Sequence, residues 1–110
     1  MRLGSVLWVE FDPVSGSEQG GRRPAVVVSS SDHLSAATTL VTVVPATSTD
    51  REWPNHILMT GPTGLPTPTL AMTEQVRTIA RERVVAEAGF VDAACFEAIC
   101  QWVHRWLAAG

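Results

Sequence analysis

The 110-residue chain has no lysine, no tyrosine, two cysteines, three histidines and no apolar run of membrane-spanning length. The last absence argues against a transmembrane helix. The opening Met1-Arg2-Leu3-Gly4 also lacks the apolar core of a secretory signal, so a cytoplasmic protein is expected. Cys95 and Cys100 lie five residues apart in a helical pattern, about 140° around the helix, which disfavours a disulfide. No second Cys or His pair stands at ligand spacing, so neither a metal nor another cofactor is expected. The histidines, His33, His56 and His104, sit in no Ser-His-Asp or Cys-His pattern. With no tyrosine and 6% aromatics, an aromatic-lined groove for proline-rich peptides is poorly supplied. The net charge of −3 argues against indiscriminate coating of nucleic acid, which depends on neutralising many phosphates. All eight basic residues are arginine, whose planar fork suits phosphate, although a GC-rich genome produces the same bias.

What is present describes one ordered domain over residues 1–110, with 45% hydrophobic and 17% charged residues. A domain this small gains from oligomerisation. Residues 5–11 alternate as a half-buried strand, with Leu7, Val9 and Phe11 on one side, and Asp12-Pro13 ends it. The unbroken Ala25 to Val28 run inside a strand over 23–29 suggests burial on both faces. Ser29-Ser30-Ser31-Asp32 offers caps for a short helical turn through about Ala37, and Thr39 to Pro45 is rich in β-branched residues. Further strands are expected over 56–60, 69–80 and 84–90, separated by turn formers such as Gly61-Pro62-Thr63-Gly64-Leu65-Pro66-Thr67-Pro68.

From Asp92, a reasonable N-cap, the pattern becomes helical, with Phe96, Cys100, Val103 and Leu107 on one face expected to dock on the sheet. Ile99, Trp102 and Trp106 widen the apolar arc to roughly 160°, more than one core contact needs. The surplus either roofs the end of the fold or forms a subunit interface.

The chain is organised around Gly16-Ser17-Glu18-Gln19-Gly20-Gly21-Arg22-Arg23-Pro24, a charged glycine-containing loop feeding a stiff strand. Pro24 fixes its own φ and pushes Arg23 out of the helical region, which sets that guanidinium at the lip of a sheet. The arrangement suits an anion site with Glu18 as a carboxylate on the loop, or an ordinary hairpin loop with solvated charges.

Leu7-Trp8-Val9-Glu10-Phe11-Asp12-Pro13 followed by the Gly16 to Ser29 stretch closely resembles the MazF/PemK family of toxin endoribonucleases. Val43-Val44-Pro45-Ala46-Thr47-Ser48 and Glu74-Gln75-Val76-Arg77-Thr78-Ile79 match in order, so the resemblance covers about residues 3–107. It implies a mainly β fold with a C-terminal α-helix, a small SH3-like barrel, and a symmetric dimer. It also implies a toxin of a type II toxin–antitoxin pair, whose cognate antitoxin carries an acidic disordered segment into the same groove. The activity implied is metal-independent, sequence-selective cleavage of single-stranded RNA by 2′-OH attack, leaving a 2′,3′-cyclic phosphate and a 5′-OH.

Arg23 matches the family's catalytic arginine, and Thr47 its catalytic threonine. Glu18 serves as a base or pairs with an arginine to order the loop. Expected RNA contacts are Ser17, Gln19, Gly20, Gly21 and Arg22 in the first loop. The second loop adds Ser48, Arg51 and Trp53, the last as a stacking surface for a base or a cover for the core edge. Glu74, Gln75 and Arg77 complete the set. Some relatives carry a histidine where Ser17 stands, and an arginine and an aspartate where Met72 and Glu74 stand. A mechanism relying on that histidine and arginine does not carry over. Related barrels act without catalysis by binding DNA gyrase, and this is the principal rival.

Overall fold

The computed structural model describes residues 1–11 and 21–107. Seven strands among them form one antiparallel sheet: β1 (Ser5–Phe11), β2 (Gly21–Val27), β3 (Leu40–Thr47), β4 (His56–Leu58), β5 (Leu70–Met72), β6 (Arg77–Ala80) and β7 (Val84–Phe90). Two helices accompany them, α1 (Ser31–Ala36) and α2 (Ala93–Leu107). The strand order is β4-β5-β3-β2-β1-β7, with β6 also on β3. The expected mainly β architecture with a C-terminal helix is what forms. No helix among the described residues is long and apolar enough to cross a membrane.

Strand alternation sends two apolar sets to opposite faces, which is why Ala25, Val26 and Val27 are all fully buried. Leu7, Val9, Phe11, Ala25, Val27, Val41, Val43 and Ile79 form one core, with Leu34 of α1 packed against it. Val6, Val26, Val44 and Ala46 form the other, beneath Cys95, Ile99 and Val103 of α2. The helix therefore docks through an i, i+4, i+8 stripe one step round from the expected one. Phe96 and Cys100 are half-buried, and Leu107 is 68% exposed. Helical periodicity alone could not choose between the adjacent stripes, because both are apolar.

Two strand boundaries also differ from expectation. β2 ends at Val27 because Ser29 turns its buried hydroxyl back on the sheet, where it accepts the Thr42 N–H at 2.7 Å. The stretch expected as one strand over 69–80 is interrupted. β3 pairs Ala46 with Ala71 in β5 and Val43 with Arg77 in β6, so its neighbouring edge carries three surplus residues. These are the 3-10 turn Thr73–Gln75, which leaves the ladder at that point.

Both helices are pinned by side chains. Ser30 caps α1 by accepting the His33 N–H at 3.0 Å, and Arg81 donates to the carbonyls of Leu34, Ala37 and Leu40 at the other end. Asp92 caps α2 as expected, accepting the Cys95 N–H at 2.8 Å. Cys95 and Cys100 are free thiols, and burial raises the pKa of each.

Candidate active site

Antiparallel register explains how two distant sequence motifs meet. β2 and β3 pair Val27 with Val43, Val26 with Val44 and Ala25 with Pro45. Continued two residues further, that register brings Arg23 level with Thr47. The ladder stops short where hydrogen-bonded pairs, alternating from Val28–Thr42, reach Pro24–Ala46, in which Pro24 has no N–H to give. β3 carries on past this point with β5, through Thr47 and Leu70. The two strands are free to part just where Arg23 and Thr47 lie.

A cleft of about 280 Å³ opens there, lined by Trp8, Arg23, Pro24, Ala46, Thr47, Ser48 and Thr49, and by Leu65, Pro66, Thr67 and Thr69 from the segment before β5. Arg23 and Thr47 are half-buried, so their side chains are positioned by the scaffold yet reachable. The Thr47 hydroxyl accepts the Thr49 N–H at 3.1 Å, which turns the chain sharply after β3 and leaves its proton available to a ligand. A guanidinium and a hydroxyl at one small opening can bind a tetrahedral oxyanion.

The remaining expected residues divide. Ser48 lines the cleft. Ser17, Glu18, Gln19 and Gly20 lie outside the described residues. Gly21 and Arg22 open β2, and Arg22 reaches Glu10 at 3.9 Å on an exposed surface, where an ion pair contributes little. Arg51, Trp53, Glu74, Gln75 and Arg77 are exposed but do not line this cleft. Arg77 lies over the Phe11 ring at 4.3 Å, beside the end of β1.

Glu74 instead anchors a network that sequence reading missed. Its carboxylate accepts from Asn55 Nδ2 at 2.8 Å and meets His56 Nε2 at 3.0 Å. Trp53 packs on the His56 ring at 4.8 Å. Thr73 donates to the Asn55 carbonyl at 2.7 Å and accepts the Trp106 indole N–H at 3.1 Å. The 3-10 turn thereby ties the end of the 48–55 loop to α2. His56 is buried and its Nδ1 has no hydrogen-bond partner among the described residues. Since a carboxylate can only accept, Nε2 is the donor in the contact with Glu74. The partners come from residues far apart in the chain, and no local spacing announces them. No group of three or more His, Cys, Asp or Glu side chains among the described residues is placed to hold a metal ion.

Comparison with known proteins agrees with this architecture. Residues 2–107 match the family model described as PemK-like, MazF-like toxin of type II toxin-antitoxin system. Endoribonuclease MazF9 of Mycobacterium tuberculosis is 42% identical over 100 residues, covering 86% of this chain and 85% of the relative. Endoribonuclease toxin MazF of Escherichia coli K12 is 36% identical over 90 residues, covering 81% and 78%. Among solved structures, MazF from Deinococcus radiodurans superposes with a TM-score of 0.82 at 24% identity, covering 99% of this chain and 97% of that one. A mycobacterial endoribonuclease in complex with its cognate antitoxin gives 0.77 at 21% identity, covering 100% and 97%. With its family model matched along nearly its whole length and its fold shared with those structures, this chain belongs to the PemK-like, MazF-like toxins of type II toxin–antitoxin systems.

Proposed function

We propose that the chain is the toxin of a type II toxin–antitoxin pair and acts as a sequence-selective endoribonuclease on single-stranded RNA. The observation that carries this reading is the convergence of Arg23 and Thr47, from two strands, on one cleft. Relatives 42% and 36% identical bear the name endoribonuclease, which supports the same activity here.

In the proposed reaction the ribose 2′-OH loses its proton as its oxygen attacks the adjacent phosphorus, the bond to the 5′-oxygen breaks, and that oxygen takes up a proton from solvent. The products are a 2′,3′-cyclic phosphate and a 5′-OH. Arg23 stays protonated throughout and contacts two phosphoryl oxygens, countering the charge that grows on the phosphorane. Thr47 donates its hydroxyl proton to the same phosphate. Glu18 either takes the 2′-OH proton or pairs with an arginine to shape the first loop around substrate. This division of labour assigns no step to a metal. A cognate antitoxin is the natural partner, its acidic segment competing with RNA for the arginine at the cleft, and the active form is a homodimer in the cytoplasm.

The test is incubation of wild-type protein and Arg23→Ala with a long single-stranded RNA in EDTA, followed by sequencing of the products and identification of their ends. Cuts at a recurring short sequence with cyclic phosphate ends are expected. The rate should fall roughly 10²- to 10³-fold in the variant, the usual cost of losing one preorganised donor. Intact RNA from folded, toxic protein would overturn the enzyme and favour a toxin that binds a protein target, for which α2 presents Trp106 and Leu107 to solvent.

A further inference from the structure

The cleft has a second wall that the reaction above does not use, formed by Leu65, Pro66, Thr67 and Thr69. Its placement is unusually determined. Gly64 has φ +75°, and a Cβ there would stand 2.0 Å from the Ala88 carbonyl oxygen. A Cβ on Gly89 would stand 2.2 Å from the Pro62 carbonyl oxygen. The two backbones touch where only glycine allows it, and the Phe90 N–H donates to Pro62 at 3.0 Å. At its other end the segment is fixed by the Met59 N–H bonded to the Thr69 carbonyl at 2.9 Å, and by entry into β5. Pro66 and Pro68 restrict φ between these anchors.

The chemistry along the wall is mixed. Leu65 and Pro66 offer apolar surface on which the face of a planar ring can rest. The Thr69 hydroxyl is spent on the Thr67 carbonyl at 2.9 Å, whereas the Thr67 hydroxyl has no hydrogen-bond partner among the described residues and is exposed at the opening. A volume of about 280 Å³ is at the small end for ligand sites, room for about one nucleotide. Single-stranded RNA is read through unstacked bases by just such a combination of flat apolar contact and an edge hydrogen bond.

We propose that Leu65, Pro66 and Thr67 form a base-selecting subsite for the nucleotide beside the scissile phosphate, a reading that rests on the endoribonuclease activity proposed above. Thr67 is the specificity-determining residue, and Gly64 and Gly89 are positioning residues that hold the wall at its distance from Arg23 and Thr47. The Thr67 hydroxyl reads the base edge as donor or acceptor, and Leu65 with Pro66 supports the ring.

The experiment is cleavage of a randomised single-stranded RNA pool by purified full-length wild type, Thr67→Val and Gly89→Ala, with cut sites sequenced and folding checked by circular dichroism. For Thr67→Val, the kcat/KM ratio between preferred and rejected bases should fall roughly tenfold at one position next to the cut, the scale of one hydrogen bond. Preferences at other positions should stay within about threefold of wild type. Folded Gly89→Ala should blur the same position and raise KM more than it lowers kcat. A Thr67→Val profile superimposable on wild type, or a uniform loss across all sequences, would overturn the subsite while leaving the enzyme in place. A wild-type protein that cuts nothing in the pool would overturn both.

Discussion

A carboxylate that accepts two hydrogen bonds resists protonation, and Asp92 accepts from the Thr60 side chain and from the Cys95 N–H, which lower its pKa below the ordinary 3.8. Because the folded value is below the unfolded one, the stabilisation is present above the ordinary pKa. It fades as the pH falls through the folded value. Asp92→Asn keeps a cap but removes this dependence, so Tm measured from pH 5 to pH 2 should drop less steeply for the variant than for wild type. A parallel pair of curves would show that the charge at this cap is irrelevant. Arg23 and Thr47 are candidates of a different kind, picked out by the resemblance of their motifs, and what the strand register adds is that they share one cleft. Pro24 and Pro45 lie inside β2 and β3, where the pairing between the two strands ends. Glu74 was legible as a functional candidate only by its motif. Its engagement with Asn55 and His56 depends on three residues leaving the β3 edge together, which no pattern of apolar positions reports.

At the level of elements, α2 shows where periodicity stops being informative. Its start was readable from Asp92, but its docking stripe was displaced by one step because the apolar arc is wider than the contact. Burial now separates the candidates. Ile99 is fully buried and Leu107 largely exposed, so Ile99→Ala should cost about 2–5 kcal/mol of unfolding free energy. Leu107→Ala should stay within about 0.5 kcal/mol if the end of the helix is free. Urea denaturation checks both, and a large loss for Leu107→Ala at high protein concentration alone would reveal a partner covering that end. The second wall of the cleft was hidden for a related reason. Residues 61–68 read as turn formers, and turn chemistry says that a chain reverses without saying what it touches. The contact of Gly64 with Ala88 links residues distant in sequence, and neither glycine differs locally from one that merely turns the chain.

For the whole molecule, electrostatics constrain how RNA is held. The chain carries three more acidic than basic groups, so attraction must be local, with Arg23 the arginine that lines the cleft. Binding by the wild-type protein of a short single-stranded RNA whose 2′-hydroxyls are replaced by hydrogen, so that it cannot be cut, should therefore weaken only gently with salt. A log–log slope on the order of −1 to −2 is expected, since each neutralised phosphate on a single strand contributes about −0.7. A slope several times steeper, read by fluorescence anisotropy between low and physiological salt, would mean that RNA wraps a far longer path. A small all-β barrel or sandwich was legible from strand spacing and the resemblance narrowed it to the SH3-like architecture, but the strand number was not, because the stretch expected as one strand over 69–80 forms β5 and β6.

The sheet closes late along the chain. β1 is paired on one side with β2, its neighbour in sequence, and on the other with β7, where Trp8 meets Ala86 and Val6 meets Gly89. Trp8 also lines the cleft, and the second wall leans on Ala88 and Gly89. During synthesis a ribosome exposes Arg23 and Thr47 well before residues 84–90 leave the exit tunnel. A nascent chain in that interval carries Arg23 and Thr47 without β7 or the wall that leans on it, so the cleft takes shape only once residues 84–90 have joined β1.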